Sequence, residues 1–269
     1  MPELPDVENY RRYFVRHALR RPIEGVHAPD ARTLRGTSAR RLRETVLGRR
    51  FAGADRHGKH LLARLDGGGV VTFHFGMTGA FAACAADEAP PRFTRLRFDF
   101  DGRCRLSFTD PRRLGRIGLA DDPASFVVDQ GLGIDALDRR LTVPRLAALL
   151  AQSSAGIKAA LMAQDRIAGI GNIYSDEILF QAGIDPRADA AGLDRRAVGR
   201  LHRALRRVLR TAIDRGAGWA GFAEKLPDGW LLRHRRSGAA CPRCGGAVRA
   251  ARISGRTAYF CPRCQKDGG

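Results

Sequence analysis

The first half of the chain alternates apolar and polar residues over short runs, a pattern that is typical of β-strands. Examples of such runs are residues 60–65, 70–75, 96–100 and 104–108. Asp66-Gly67-Gly68-Gly69 separates the first two runs and is a hairpin turn signal. Short strands at regular spacing predict a β-sandwich or barrel between about Ile23 and Leu119.

Apolar residues follow the 3.6-residue period of a helix at the start of the chain and throughout its second half. The predicted helices cover residues 7–19, 143–151, 157–164, 172–182 and 194–215. The last is amphipathic, with an apolar stripe from Val198 to Ile213. Its other face carries Arg195, Arg196, Arg200, Arg203, Arg206, Arg207 and Arg210. A charge run of this kind is most often a solvated face, and contact with a polyanion is the alternative.

Charge limits the classes of partner. The 269 residues include 47 Lys and Arg against 28 Asp and Glu, a net charge of +19. Such a surplus indicates a nucleic acid or an anionic membrane surface. No apolar run approaches the ~18 residues of a spanning helix, and the acidic N-terminus lacks the apolar region of a signal peptide. We therefore expect a cytoplasmic protein with no membrane partner and with reduced or metal-bound cysteines.

Four cysteines near the C-terminus form two C-x-x-C pairs. Their spacing is Cys241-x2-Cys244-x16-Cys261-x2-Cys264. Four thiolates so arranged predict one closed, structural Zn²⁺ site, which leaves no open position for metal catalysis. A redox pair would need only one C-x-x-C. About 25 residues cannot fold around so small a core without the metal. Arg256, at the predicted hairpin tip after Gly255, could reach a phosphate.

A glycine-rich turn, Gly169-Ile170-Gly171, precedes the helix that Asn172 is predicted to cap. Glycines allow close approach of a phosphate, and a helix N-terminus favours the anion. Lys158 lies on the preceding helix and could add a positive charge. A plain corner between two helices would give the same short pattern.

The first residues carry a possible nucleophile. If Met1 is removed, Pro2 provides a secondary amine, and an α-amino group titrates near ~8, so a useful fraction is uncharged at neutral pH. Attack on a carbonyl-like carbon would give an iminium, and Glu3 could move the protons. For this dipeptide alone, an ordinary acidic N-terminus is the simpler interpretation.

Three further turns carry candidate residues. Lys59 follows Gly58 at the start of a strand. In His74-Phe75-Gly76-Met77-Thr78-Gly79, Met77 lies on a turn between glycines, where an exposed methionine could act as a wedge in a base stack. Arg112 lies on the third turn, Asp110-Pro111-Arg112-Arg113-Leu114-Gly115, where it could meet an orphaned base. Each motif alone is about as compatible with a structural role.

Together, MPELPDVE at the N-terminus, these turns, the Gly-rich turn and the cysteine pairs resemble the formamidopyrimidine-DNA glycosylase / endonuclease VIII family. The motifs follow the family's order from residue 2 to residue 265. The resemblance implies an α+β chain: an N-terminal catalytic β-sandwich domain (1–130), a helical domain with a helix–two-turns–helix (H2TH) motif (131–232) and a zinc hairpin (233–269). It also implies a two-domain clamp with DNA between the domains.

The resemblance further implies a bifunctional DNA glycosylase and AP lyase of base excision repair, acting as a monomer on damaged double-stranded DNA, with nucleoid association and structural zinc. Pro2 would attack C1′ of a flipped nucleotide, and β- and δ-elimination would follow from the Schiff base. The implied catalytic residues are Pro2, Glu3 and Lys59. The implied DNA-binding residues are His74, Met77, Arg112, Lys158, Asn172 and Arg256. A DNA-binding clamp that has lost the chemistry is the alternative.

Three features depart from the family pattern. Asp6 stands where Glu is more common, which retracts a carboxylate by one methylene near the nucleophile. Leu114 stands where the 8-oxoguanine enzymes usually have Phe, so one wedge residue is smaller. The segment 217–240 lacks the usual Tyr-Gly-Arg lead-in to the zinc hairpin and is several residues shorter.

Overall fold

The computed structural model describes residues 1–101 and 104–266, and the chain forms two compact units, Met1–Gly131 and Leu132–Gly269. Residues 267–269, the end of the predicted third module, lie outside the described residues. The zinc hairpin belongs to the second unit.

The first unit contains two four-stranded antiparallel sheets. One has the order β1-β6-β7-β5 and the other the order β2-β3-β4-β8. The strands are β1 Ile23–His27, β2 Phe51–His57, β3 His60–Leu65, β4 Val70–His74, β5 Ala80–Ala85, β6 Thr94–Phe100, β7 Cys104–Thr109 and β8 Arg116–Ala120. Phenylalanines from both sheets meet in the core: the ring centroids of Phe51 and Phe98 are 5.3 Å apart, and those of Phe73 and Phe81 5.2 Å apart. The predicted β-sandwich is confirmed.

Three helices accompany these sheets: α1 Leu4–Ala18, α2 Ala39–Val46 and α3 Pro123–Asp129. A short 3₁₀ turn covers Ala31–Thr33. Helix α1 begins three residues before the predicted start, because Pro5 fits the first helical turn and Glu3 and Asp6 form a capping box. Phe14 of α1 is fully buried and packs against Phe51 of the second sheet at 4.9 Å. The N-terminus is therefore anchored to the sandwich core.

The second unit is helical and ends in the hairpin. Its helices are α4 Val143–Ala151, α5 Ile157–Met162, α6 Asn172–Ala182 and α7 Arg195–Asp214. The short strands β9 Ile134–Asp135 and β10 Ile167–Ala168 pair in parallel, and 3₁₀ turns cover Ala223–Lys225 and Leu231–His234. Strands β11 Arg249–Ile253 and β12 Arg256–Phe260 form the hairpin. Within the described ranges, no helix has the length and hydropathy needed to cross a bilayer.

Candidate active site and nucleic-acid-binding residues

The N-terminal segment places a buried carboxylate beside Pro2. Glu3 is 1% exposed and is the N-cap residue of α1, whereas Met1 is exposed. The backbone N–H of Glu3 donates to Asp6 Oδ2 at 2.7 Å, and the two residues form a reciprocal capping box. The path of the chain at Pro2 and Glu3 is therefore fixed by the helix start.

Asp6 has an unusual protonation equilibrium. Desolvation by burial, helped by the nearby Glu3 carboxylate, raises the pKa of Asp6 from 3.8 to about 7. Burial and the Asp6 charge also raise the pKa of the Tyr10 phenol. The shorter side chain at this position thus supplies a carboxyl that titrates at neutral pH, one turn from the candidate nucleophile.

Asp6 should weaken folding as the pH rises. The folded chain keeps the proton to about pH 7, whereas the unfolded chain releases it near 3.8. Between these values the folded state binds more protons, so the free energy of unfolding falls with rising pH, by at most about 1.36 kcal/mol per pH unit. In denaturant unfolding followed by circular dichroism, Asp6→Asn is expected to gain stability relative to wild type from about pH 4 to about 7 and to gain no more above it.

Glu8, on the same helix, offers the matched control. Burial raises its pKa, but hydrogen bonds from Arg11 and its charge outweigh that effect, so the pKa of Glu8 is lowered. The ionised Glu8 carboxylate therefore stabilises the folded chain at neutral pH, and this stabilisation is lost when acid protonates it. Glu8→Gln should lose stability relative to wild type at neutral pH. If the stability of Asp6→Asn and that of Glu8→Gln, each relative to wild type, change in the same direction between pH 4 and pH 7, the raised pKa of Asp6 is wrong.

Lys59 and His74 lie at the same end of the second sheet. Lys59 is 8% exposed, after Gly58, whose φ of +56° suits the turn between β2 and β3. His60 pairs with His74 across β3 and β4, with ring centroids 4.9 Å apart. Burial and neighbouring positive charge lower the pKa of His60 to about 3 and that of His74 to about 4. Both imidazoles are therefore neutral at pH 7.

The tautomer of His74 follows from its hydrogen bond. Its Nδ1 accepts the backbone N–H of Gly76 at 3.2 Å. A neutral imidazole that accepts at Nδ1 carries its proton on Nε2. His74 can thus offer an anion a neutral N–H donor rather than a positive charge.

A single buried carboxylate, Asp110, organises the two turns with Met77 and Arg112. Asp110 is fully buried; its Oδ1 accepts from Thr78 Oγ1 at 2.5 Å and from the Arg112 N–H at 3.2 Å. Its Oδ2 accepts from the Gly115 N–H at 2.7 Å. Sequence inspection placed Asp110 in the motif but did not assign it this role. The aspartate preceding Pro111 was the available signal, because Asp commonly binds backbone N–H groups in turns.

The two turns also touch through their backbones. Gly76 has φ +57°, and a Cβ there would lie 2.4 Å from the carbonyl carbon of Leu114. This contact places Met77, Arg112 and Leu114 together, with Met77 43% and Leu114 44% exposed. Arg112 Nη1 lies 3.3 Å from Met77 Sδ. Three side chains predicted separately thus project from one end of the sandwich as a cluster, called here the wedge cluster.

We expect the wedge cluster to fill the gap that a flipped nucleotide leaves. Met77→Ala and Arg112→Ala should reduce base excision from duplex DNA much more than from a single strand, where no stack must be replaced. The measurement is the single-turnover rate on matched double- and single-stranded substrates. Arg113→Ala, on the same turn but paired with Asp30 at 2.8 Å, is the control. Equal losses on both substrates would place these residues outside the stack.

In the second unit, Gln164 holds the Gly-rich turn. Its Nε2 donates to the carbonyl oxygens of Met162 and Ile170, both at 2.8 Å, and its Oε1 accepts the Gly169 N–H at 3.0 Å. Sequence inspection treated Gln164 only as the end of a helix. The prediction that Asn172 caps α6 is wrong: Gly171 is the N-cap, and Asn172 is the first residue of the helix. The buried Oδ1 of Asn172 has no hydrogen-bond partner among the described residues. The Asn172 side chain thus retains an unused acceptor at the helix N-terminus.

Lys158 lies on α5, the helix before the Gly-rich turn, as predicted, but its side chain is enclosed. It is fully buried, and its Nζ donates to Asp176 Oδ1 at 2.5 Å, to Ser175 Oγ at 2.8 Å and to the Asn172 carbonyl oxygen at 3.1 Å. The ammonium group is turned inward and paired, and the predicted contact of Lys158 with DNA stays a prediction. Lys158 instead holds the first turn of α6 in place.

Asp176 connects this turn to the zinc hairpin. Its Oδ2 accepts from Arg235 Nη2 at 2.9 Å and from the Tyr259 backbone N–H at 3.1 Å. The Arg235 guanidinium also lies over the Tyr259 ring, 5.1 Å from its centroid. Sequence inspection missed Asp176 and Arg235. A carboxylate within an apolar stretch of helix after the Gly-rich turn was the only signal.

The four cysteines have the geometry of a metal site. All four Sγ atoms lie within 4.8 Å of one another, with Cys241–Cys264 at 3.8 Å and Cys244–Cys261 at 3.6 Å. Sulfur atoms placed tetrahedrally ~2.3 Å from one Zn²⁺ would be about 3.8 Å apart, so the set fits zinc. Arg256 follows the turn at Ser254 and Gly255, both with positive φ, and is exposed at the hairpin tip.

Known protein families match the sandwich unit, the helical region and the cysteine hairpin of this chain. Three family models match: the formamidopyrimidine-DNA glycosylase N-terminal domain at residues 1–117, its H2TH domain at 132–223, and the zinc finger found in FPG and IleRS at 238–266.

Relatives are similar along their whole lengths. The formamidopyrimidine-DNA glycosylase of Thermus thermophilus is 37% identical, covering 100% of both chains, and that of Pelotomaculum thermopropionicum is 34% identical, covering 99% of both. A crystal structure of wild-type Lactococcus lactis Fpg (MutM) with DNA containing N7-benzyl-Fapy-dG has a TM-score of 0.89 and 25% identity, over 99% of this chain and 100% of that one. A MutM complex with DNA containing carbocyclic 8-oxo-G has a TM-score of 0.88 and 26% identity over the same shares.

Proposed function

Because the chain belongs to the formamidopyrimidine-DNA glycosylase family, we propose that it is a DNA glycosylase of base excision repair that also cleaves the DNA strand as an AP lyase. The observation that carries this proposal is the start of α1. There, a buried glutamate at the N-cap lies next to a proline that becomes the N-terminal residue once the exposed Met1 is removed. Its substrate is damaged double-stranded DNA.

The chemistry needs only the residues of this chain. The uncharged Pro2 nitrogen attacks C1′ of the flipped nucleotide, and the base leaves with the electron pair of the glycosidic bond. Pro2 then loses its N–H proton, and Glu3 donates a proton to O4′ as the bond between C1′ and O4′ breaks. Ring opening gives an iminium, which makes the 2′-proton acidic. Loss of this 2′-proton expels the 3′-phosphate by β-elimination, and a second, δ-elimination expels the 5′-phosphate. Lys59, which is 8% exposed, would direct its ammonium group to the reacting phosphates.

The proposed DNA contacts are of two kinds. Met77 and Arg112 replace the extruded nucleotide, whereas His74, Asn172 and Arg256 contact phosphates as neutral donor, helix N-terminus and exposed cation respectively. One structural Zn²⁺ per chain, held by the four cysteines, keeps Arg256 at the hairpin tip. We propose that the protein acts as a monomer near the chromosome.

Product analysis separates this proposal from a DNA-binding clamp without catalysis. A duplex with one formamidopyrimidine or one oxidised pyrimidine, labelled at either end, should yield a one-nucleotide gap with phosphates on both sides. Glu3→Gln should reduce base removal by roughly 10²- to 10⁴-fold. Tight, salt-sensitive binding without any cleaved product would favour the clamp.

The loop before the zinc hairpin bears on which lesion is preferred. Glu177 Oε2 accepts the Leu232 N–H at 2.8 Å, and Gln181 Nε2 donates to the Gly229 carbonyl oxygen at 3.1 Å. These bonds tie the end of the loop to α6. Trp230 is 7% exposed, so it belongs to the core, whereas Trp219 is half-buried. The part of the loop that is free of these bonds is therefore short, and of the two tryptophans Trp219, the more exposed, is the candidate for stacking on a base.

We therefore expect weak excision of 8-oxoguanine, with ring-opened formamidopyrimidines or oxidised pyrimidines preferred. A short loop offers few backbone donors to the flipped base, so it discriminates less between damaged bases by hydrogen bonding. A loosely enclosed base is then removed mainly when its glycosidic bond is easily broken. Single-turnover rates on duplexes that differ only in the lesion test this, with Trp219→Ala as the check on stacking. Removal of 8-oxoguanine opposite cytosine as fast as that of formamidopyrimidine would contradict the prediction.

A further inference from the structure

Helix α7 carries a row of arginines that the proposed reaction does not use. Five exposed arginines follow each other at steps of four and three residues: Arg196, Arg200, Arg203, Arg207 and Arg210. At 3.6 residues per turn they lie on one face, over about 21 Å of helix. The opposite face is buried, as Leu201, Leu205 and Leu209 show. We call this row the arginine stripe.

The arginine stripe has no internal counter-charge. No Asp or Glu occurs between Arg195 and Ile213, and in the part of the chain that the structure describes none of the five forms an ion pair. The contacts that Arg200 and Arg207 do make are long ones to neutral oxygens, the Ala182 carbonyl at 3.4 Å and Gln181 Oε1 at 3.5 Å. Four successive like-charge pairs along this helix each oppose folding, and an anionic partner would remove that repulsion.

The arginine stripe is separate from the predicted phosphate contact in the same unit. Arg200 and Arg207 approach Ala182 and Gln181, which lie at the C-terminal end of α6. Asn172 opens the N-terminal end of that helix, about 15 Å away for eleven residues. A phosphate bound at Asn172 therefore leaves the stripe accessible to a different anion.

The chemistry of the stripe favours DNA over other polyanions. Successive arginines rise by about 4.5–6 Å, so their long side chains can reach successive phosphates of one strand. The face from Arg196 to Arg210 carries no aromatic or large apolar residue, which a membrane-binding helix would need. Arg243 extends the positive charge at this end of α6, where its Nη1 donates to the Phe180 carbonyl oxygen at 3.3 Å.

We propose that the arginine stripe binds the backbone of a second DNA segment while the first is held for repair. The choice of DNA as the partner rests on the proposed function. With two segments held at once, the protein can pass from one to the other before it dissociates, which speeds the search for rare lesions. The contact is electrostatic and independent of base sequence.

Competition kinetics test this with the full-length, zinc-loaded protein. A fluorescent duplex with a stable abasic-site analogue is bound first, and unlabelled undamaged duplex is then added in increasing amounts. Wild-type dissociation should accelerate with competitor concentration. Replacement of Arg203, Arg207 and Arg210 by Gln should remove this acceleration and weaken second-duplex binding roughly tenfold, with its log–log salt slope reduced by about 2.7 at ~0.9 per contact.

Helix α2 supplies the matched control. Arg40, Arg41 and Arg43 are exposed there, and their replacement by Gln removes the same net charge from another helix. This variant should behave as wild type. Equal loss in both triple variants, or wild-type dissociation that ignores competitor concentration, would overturn the proposal. So would equally fast displacement by polyglutamate, which would assign the stripe to an acidic protein.

The outcome is distinguishable from a failure of the proposed function. Single-turnover excision on a short duplex should be the same in wild type and in the Arg203, Arg207, Arg210 variant, because no stripe residue lies at the reacting atoms. Transfer between duplexes without any excision would contradict the proposed function and leave the stripe assignment standing. Excision without transfer between duplexes would contradict the stripe assignment and leave the proposed function standing.

Discussion

Borohydride added to the protein and a duplex with one abasic site is expected to link the two covalently through the Pro2 nitrogen. The reason is the iminium that a secondary amine forms with the C1′ aldehyde, which borohydride reduces to a stable amine. The free α-amino group has the low pKa that makes it nucleophilic at neutral pH. Peptide mapping of the trapped complex should place the cross-link on the first peptide of the chain.

A chain with one extra residue before Pro2 provides the sharpest control. A removable N-terminal extension can be designed to leave either Pro2 or Gly-Pro2 at the terminus. The two proteins then differ only in whether the proline nitrogen is an amine or an amide. The second should lose trapping and excision by roughly 10³-fold or more, as for loss of a nucleophile. Full activity of the extended chain, or of a chain that retains Met1, would show that the N-terminal mechanism is wrong.

Glu3 should separate the two halves of the reaction. Glu3→Gln keeps the size of the side chain and its place at the N-cap, but removes the transferable proton. We expect it to impair base removal strongly and to impair cleavage at a preformed abasic site much less, because no base has to leave there. Similar losses on both substrates would indicate that Glu3 only maintains the helix start.

Removal of zinc is expected to abolish DNA binding while the β-sandwich unit stays folded. The hairpin rests on a small cluster, Phe180, Leu231, Cys241, Val248 and Cys261, two of whose members are the predicted ligands. Structural zinc typically contributes on the order of 10–16 kcal/mol of apparent binding free energy, far more than so small a core. Without it, Arg256 loses its position, and Tyr259 no longer presents its N–H to Asp176.

The measurement combines metal content, circular dichroism and DNA affinity after chelation and for Cys261→Ala. Cys84→Ala, a half-buried cysteine of β5, is the control that leaves the hairpin intact. Strand signal from the first unit should survive metal loss, and affinity should fall to the level of a variant without the hairpin. Unchanged affinity after verified loss of the metal would contradict this.

The fold was predictable where a local signal was decisive. Period-two runs identified four of the eight strands of the sandwich, β3, β4, β6 and β7, whereas helix α2 was missed inside the region predicted as strands. Helical periods identified four helices of the second unit with bounds close to those observed. The start of α1 was predicted three residues late, because hydrophobic periodicity does not register a capping box or a proline in the first turn.

Candidate residues were predictable only as members of motifs. Met77 and Arg112 came from two separate turns, and nothing local showed that Asp110 and Gly76 hold these turns together. Trp230 lies in the loop before the zinc hairpin, and only the structure shows that it is buried. The neutral state of His74 and the raised pKa of Asp6 depend on burial, which is a property of the packed chain.

The sequence by itself determined that a strand-rich region precedes a helical one, where the four cysteines lie and which residue types are available for chemistry, because these depend on spacing within a few residues. Only the tertiary structure decided which charged groups face outward. Lys158 and the arginines of α7 are both basic residues on helices, but Lys158 is enclosed by Asp176 and Ser175, whereas the arginine stripe remains exposed. The physical reason is that a buried charge requires a partner, and the partner of Lys158 lies 18 residues away, on another helix.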